Sequence, residues 1–271
     1  MIPLHTPEGS HEFIPVLAIG GSDNSGGAGI GMDIKTMAAN HVYPMSVVTA
    51  LTVQTQQEVQ AVYFPNLDII EKQLESTLES CPPRAVKIGM LGNEKIASVI
   101  FKCLVKNKVR NIVLDPLLRS SSGAILLNKE GQTLLEKFLP HLQCITPNIP
   151  EAEILSETTI KDVNSMKKAA KIILSKGVNS VIIKGGHLQE KKITNILAKK
   201  NAFFQYNSNK FDKMGLHGTG CCFASALTSR LAQNFPIEDA FEYASNYVKA
   251  AIEHAYKHGS IYVLNTEFQK K

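Results

Sequence analysis

Two glycine-rich segments carry the residues best suited to chemistry. In Gly215-Leu216-His217-Gly218-Thr219-Gly220-Cys221-Cys222, two glycines flank a threonine just ahead of a helical pattern. A helix start presents N–H groups with no partner inside the helix, and glycines let an anion come close to them. Gly218, Gly220 and Cys221 are therefore expected to form an anion hole for a phosphoryl group and the charge that develops as it is transferred. Cys221 would fall in the first turn, where the helix dipole is expected to lower a thiol below its usual value of about 8.5. Such a group could take the proton of an attacking hydroxyl. A lone cysteine is more often a small buried hydrophobe. Cys81, Cys103 and Cys144 fit that role on apolar faces, and so does Cys222, one position further round the helix.

The second segment is Gly20-Gly21-Ser22-Asp23-Asn24-Ser25-Gly26-Gly27-Ala28-Gly29, followed by a helical stretch with Asp33 and Lys35. A plain strand-to-helix turn explains one or two glycines but not this density, so a ligand loop is the better reading. No Gly-Lys-Ser/Thr ending makes it a P-loop, and the spacing is not that of a dinucleotide fingerprint.

The elements that would position these segments alternate along the chain. Apolar runs at 16–20, 46–53, 59–64, 85–89, 111–115, 144–146 and 180–184 read as strands, and 193–197 with 202–206 as a later hairpin. Leu67, Ile70, Leu74 and Leu78 recur at helical spacing, as do Ile96, Val99, Ile100, Cys103 and Leu104. Met166, Ala169, Ala170 and Ile173 do the same, and two long helical patterns span 219–233 and 237–256. That alternation predicts an α/β chain with a mainly parallel sheet, whose ligands sit beyond the carboxyl ends of the strands.

With 271 residues, 44% of them hydrophobic, and no linker or repeat, one domain over 1–271 is the economical expectation. Gly9-Ser10-His11-Glu12-Phe13 has the look of a cloning scar, so residues 1–13 are read as a leader without function. The net charge of +5 comes from scattered lysines, which speaks against nucleic acid as a partner. No apolar run approaches the roughly 18 residues of a membrane span. Five cysteines, an odd number without a Cys-x-x-Cys pair or an export signal, point to a reducing cytoplasm.

Taken together, the motifs resemble the hydroxymethylpyrimidine/phosphomethylpyrimidine kinases. The similarity runs from the two glycine segments through Thr49-Ala50-Leu51 and Gln54, Lys87-Ile88-Gly89-Met90-Leu91 and Val113-Leu114-Asp115-Pro116. It continues through Thr146-Pro147-Asn148, Pro150-Glu151-Ala152 and Lys184-Gly185-Gly186-His187. The resemblance implies a three-layer α/β/α ribokinase-like fold. It also implies two successive transfers from Mg-ATP, to the hydroxymethyl group of an aminopyrimidine and then to its monophosphate, in thiamine diphosphate biosynthesis. The cysteine stands where most ribokinase-like enzymes have an aspartate base.

Position by position, the resemblance assigns Gly21, Asp33, Gln54, Met90 and Arg119 to the substrate. Gln54 would hydrogen-bond the aminopyrimidine edge with both a donor and an acceptor. It assigns Asp115, Asn148, Lys184 and Thr219 to ATP, and Glu151 with Asn148 to Mg²⁺, partly through water. Without it, Asn148 and Glu151 read equally well as a helix cap around Pro150. Lone loop histidines, His187 and His217, receive no role. The family also implies a homodimer and leaves room for a monovalent cation.

Arg119 stands where a small apolar residue is common, and Gly31-Met32 is atypical before Asp33. The nearest alternative is a pyridoxal or pyridoxine kinase, to whose ring Gln54 has less to offer. A ligand-binding relative without catalysis is the alternative of another class.

Overall fold

Short strands that are apolar on both faces need a helix layer on each side of the sheet, and the chain provides both. The structure is a computed structural model that describes residues 13–55, 58–118, 127–186, 192–211, 216–259 and 261–268. In chain order the first half comprises β1 (Pro15–Ser22), α1 (Gly29–Ala39), β2 (Tyr43–Gln54), β3 (Val59–Tyr63), α2 (Leu67–Ser80), β4 (Ala85–Ile88), α3 (Glu94–Lys106) and β5 (Ile112–Leu114). Then follow α4 (Lys129–Phe138), β6 (Cys144–Ile145), α5 (Ile149–Ser156), α6 (Val163–Ser175), β7 (Val181–Ile183), β8 (Lys192–Lys199) and β9 (Ala202–Asn209). The chain closes with α7 (Thr219–Ala232), α8 (Ile237–Glu253), β10 (Tyr256–His258) and β11 (Ile261–Val263).

Nine strands form one sheet in the order β3-β2-β1-β4-β5-β6-β7-β8-β9. The six from β2 to β7 run parallel, while β3, β8 and β9 are antiparallel additions at the two edges. Leu17, Ile19, Val86, Ile88, Ile112 and Leu114 face the core beneath α2–α6. Their neighbours Val16, Ala18, Ala85 and Val113 face α1, α7 and α8. This is the period-2 signature of a sheet buried on both sides.

The strand order reverses between β2 and β4 on either side of β1. In a doubly wound sheet, a crevice opens at the carboxyl ends beside such a switch point. The strand carboxyl ends there lead into Asp23, Gln54, Gly89, Asp115, Thr146 and Lys184.

Every sequence-derived strand is found, within a few residues. The last long helix is shorter than its apolar pattern, ending at Glu253, because Tyr256 enters the hairpin of β10 with β11. Helix α4 lay outside the periodicity reading. It starts at Asn128, whose side chain accepts the Gly131 N–H at 3.0 Å. Cys103 and Cys144 are buried as expected, whereas Cys81 is only half-buried, in the cap position after α2.

Candidate active site

Positive φ and crowding make Gly218 the hinge between the two glycine segments. It precedes α7 with φ 81°, a backbone that glycine tolerates and L-residues rarely adopt. A Cβ there would lie 1.9 Å from the Gly27 carbonyl oxygen, so the two loops touch backbone to backbone. The hydrogen-bond ladder of α7 begins with Cys222 N to the Gly218 carbonyl at 2.9 Å. The N–H groups ahead of it, on Thr219, Gly220 and Cys221, point out of the helix start.

Asp23 shapes the first loop. Its carboxylate accepts the N–H groups of Ser25 and Ala28, each at 2.8 Å, and Lys35 Nζ donates to the Gly26 carbonyl at 3.0 Å. His217 Nε2 is buried against Gly27 and lies 3.9 Å from Asp23 Oδ2. Neither Asp23 nor His217 was given a role from sequence. The signal for Asp23 is an aspartate followed by small residues, the pattern of a side chain capping its own loop.

Cys221 occupies the first turn of α7 as expected, but its thiol is not lowered. Burial pushes it up to about 11, with Lys87 opposing and Asp33 and Asp115 adding to the rise, and the Gly29 N–H helps in the other direction. Desolvation thus outweighs the helix start at this position. Cys222 is fully enclosed in the apolar cluster between α7 and α8.

Beside the α7 start lies a charged cluster from three strand ends. Lys184 Nζ donates to Asp115 Oδ1 at 2.6 Å, and Thr146 Oγ1 donates to the same oxygen at 3.0 Å. Asp115 Oδ2 is buried, with no hydrogen-bond partner among the described residues. It faces Gly220, where a Cβ would come within 3.2 Å of both this oxygen and Lys184 Nζ. Burial works against the Lys184 charge, yet Asp115 and Glu151 hold its ammonium above the ordinary lysine value.

Asn148 and Glu151 form the helix cap that was one of their two sequence readings. Asn148 Oδ1 accepts the Glu151 N–H at 2.9 Å, and Glu151 Oε2 accepts the Asn148 N–H at 2.8 Å. Burial pushes the Glu151 carboxyl up to about 7, against Lys184 and with Asp115. The cap is compatible with a cation nearby, since each acceptor oxygen keeps a second lone pair.

Among the described residues no group of three or more His, Cys, Asp or Glu gathers as a metal cage. An all-oxygen set with one unpartnered carboxylate oxygen suits Mg²⁺, which takes one or two carboxylates and completes its shell with water and phosphate oxygens.

The residues assigned to the acceptor lie at the other side of the switch point. A Cβ on Gly21 would meet Met90 Sδ at 3.0 Å, so these two face each other at the ends of β1 and β4. Thr49 Oγ1 holds the Met90 carbonyl at 2.5 Å. Gln54 is half-buried at the end of β2, and its N–H donates to Asn24 Oδ1 at 2.7 Å.

Asp33 is placed differently. It is fully buried, with Oδ2 at 2.8 Å from Lys87 Nζ and Oδ1 at 2.8 Å from Ser225 Oγ. Both oxygens are engaged below the site, so a substrate contact by Asp33 is corrected to a role in the floor. Lys87 itself appeared in a quoted motif without a role. A lysine inside a short apolar strand, under helices on both faces, had to be paired. Arg119 and His187 lie outside the described residues.

Known proteins of similar sequence share this architecture. A family model for phosphomethylpyrimidine kinase matches residues 23–265. The chain is 39% identical over 247 residues to a hydroxymethylpyrimidine/phosphomethylpyrimidine kinase of Aquifex aeolicus, covering 91% of this chain and 97% of that one. It resembles the crystal structure of a phosphomethylpyrimidine kinase from Clostridium difficile with a TM-score of 0.80 at 42% identity, over 88% of this chain and 99% of the other. A pyridoxal kinase from Staphylococcus aureus in complex with ADP superposes with a TM-score of 0.88 at 32% identity, over 96% and 95% of the two chains. The ribokinase-like architecture, the charged cluster beside a glycine-lined helix start and the match over most of the sequence converge: this chain belongs to the phosphomethylpyrimidine kinase family.

Proposed function

We propose that this kinase transfers the γ-phosphoryl group of ATP to the hydroxymethyl group of an aminopyrimidine, and then to the phosphate of the monophosphate formed. The observation that carries the reading is the approach of Asp115 Oδ2 and Lys184 to Gly220, directly beside Cys221 in α7. A phosphoryl group held there would lie beside the residue we assign as base.

In the first transfer, Cys221 first releases its own proton to solvent, and the acceptor oxygen then attacks the γ-phosphorus as its proton passes to the thiolate sulfur. The bond to the bridging oxygen breaks and ADP leaves. Lys184 and the α7 N–H groups offset the charge that spreads over the transferred oxygens. Mg²⁺, held by Glu151 and through water by Asn148, would neutralise phosphate charge when bound. Thr219 and Asp115 complete the nucleotide side, while Gly21, Met90, Gln54 and Arg119 take the pyrimidine.

ADP release with hydroxymethylpyrimidine, its monophosphate and pyridoxal offered in parallel tests the reading. Turnover on pyridoxal alone would overturn it in favour of the pyridoxal kinase reading, which the higher TM-score of those structures supports. In the same assay Gln54→Ala should weaken pyrimidine use while leaving ATP affinity near wild type. Each lost ring hydrogen bond is worth about 1–3 kcal/mol. Equal losses for both ligands would instead mark Gln54 as a stability residue.

Glu151→Gln should raise the Mg²⁺ concentration needed for half-maximal turnover at fixed ATP, because a carboxylate that orders the ion is neutralised. An unchanged titration would take Glu151 out of the metal role.

We also assign the outer face of β2 and β3 to a homodimer contact. Leu51, Val53 and Tyr63 are 48%, 54% and 61% exposed and line one apolar band. A single-chain mass by light scattering would remove that assignment. Five unpaired cysteines support a reducing, cytoplasmic setting, and among the described residues no helix is long and apolar enough to cross a membrane.

A further inference from the structure

Among the described residues, the bulkiest fully enclosed side chain is a lysine. Lys87 is 1% exposed on β4, between Val86 and Ile88, which face the α2–α6 core. It therefore points to the opposite face, beneath α1 and α7, where its strand neighbours Ala85 and Val113 are apolar. An ammonium in such a place is costly unless paired, and packing alone would be served by an aliphatic residue.

Its partner is Asp33 on α1 at 2.8 Å, and the second carboxylate oxygen takes Ser225 Oγ at 2.8 Å. Ser225 sits four residues after Cys221, one turn along the same face of α7. The ion pair thus lies below the cysteine. Gly89 keeps the space around the ammonium clear, since a Cβ there would come within 2.7 Å of Nζ. An ammonium has three donors, and Asp33 accounts for one.

The charged groups facing the Cys221 thiol come from four elements. Lys87 on β4 is the cation that most favours its ionisation, while Asp33 on α1 and Asp115 after β5 oppose it. Lys184 after β7 contributes a further positive charge, bound at 2.6 Å to Asp115. Burial works against the Lys87 charge, but Asp33, Cys221 and Asp115 together hold the ammonium above its ordinary value.

We propose that Lys87, fixed by Asp33 and Ser225, is a positioning residue for phosphoryl transfer, its buried ammonium serving as the counter-charge to Cys221 once the thiol has released its proton. The proposal rests on the reading of Cys221 as base.

The test replaces the whole pair. Lys87→Met with Asp33→Asn leaves no orphan charge, so the melting temperature should stay close to wild type. Turnover on the hydroxymethyl acceptor should still fall about tenfold or more at unchanged KM for ATP. Alkylation of Cys221 by iodoacetamide at pH 8, followed by peptide mass, should slow by about tenfold for each unit the thiol rises. A loosened fold would speed alkylation, so the sign separates lost charge from damage.

Wild-type turnover and alkylation in the folded double variant would overturn the proposal. So would lost turnover with unchanged alkylation, since the thiol would then ionise as readily without the Lys87 charge. If the double variant melts well below wild type, Lys87→Gln with Asp33→Asn keeps a polar contact without either charge and carries the same two outcomes. Should Cys221→Ala keep full activity, the base reading fails, while the alkylation comparison still reports whether Lys87 governs the thiol.

Discussion

Cys221→Ala lowers turnover on the hydroxymethyl acceptor by about 10²–10⁴-fold, the usual worth of a general base. The KM for ATP changes little, because the backbone N–H groups from Gly218 to Cys221 remain. The monophosphate acceptor should suffer less. Its second ionisation lies near 6, so at pH 7 most of it presents an oxygen with no proton to give up. A first transfer impaired far more than the second is therefore the mark of a base. Equal losses in both transfers would indicate misplaced phosphate instead, and near-normal turnover would end the assignment.

Cys222→Ala is the matched control. It removes a sulfur from the apolar cluster at a cost of about 1 kcal/mol and should keep most activity. A thiol lowered by the helix start, as expected from sequence, would alkylate readily in the free protein. At 6% exposure and pushed up to about 11, Cys221 should instead react slowly.

Gly218→Ala should cost nearly as much. The left-handed φ of 81° is worth about 1–2 kcal/mol against any L-residue, and the new Cβ would be driven into the Gly27 carbonyl oxygen. Relief requires the glycine segments to part, which moves the N–H groups at the α7 start away from the transferred phosphoryl. Loss of one such donor typically costs 10²–10³-fold in kcat.

Gly31→Ala makes the same chemical change inside α1, where the nearest neighbours of a Cβ are 3.8 and 3.9 Å away. It should leave turnover intact and raise stability by about 0.5–1 kcal/mol, the helix preference of alanine over glycine. A Gly218→Ala protein with wild-type kcat would show that the loop contact is dispensable.

Much of this protein was legible before any fold was known. Strand positions followed from apolar runs, because a sheet covered on both faces needs them. The two glycine segments stood out because their density exceeds what turns require. Asp115, Glu151 and Lys184 were readable as site residues only through the resemblance, since a polar residue after a strand has many ordinary uses.

Tertiary structure alone decided which charges meet. Asp33 and Lys87 are 54 positions apart, and Asp33 and Ser225 are 192 apart, so no local pattern could pair them. For the same reason Asp33 moved from a substrate contact to the floor of the site. The Cys221 thiol illustrates the limit most clearly. Its place at a helix start is a local property and was anticipated, but its ionisation is set by burial and by charges from α1, β4 and the end of β5. Desolvation and Coulomb interactions depend on distance in space, which sequence spacing does not encode.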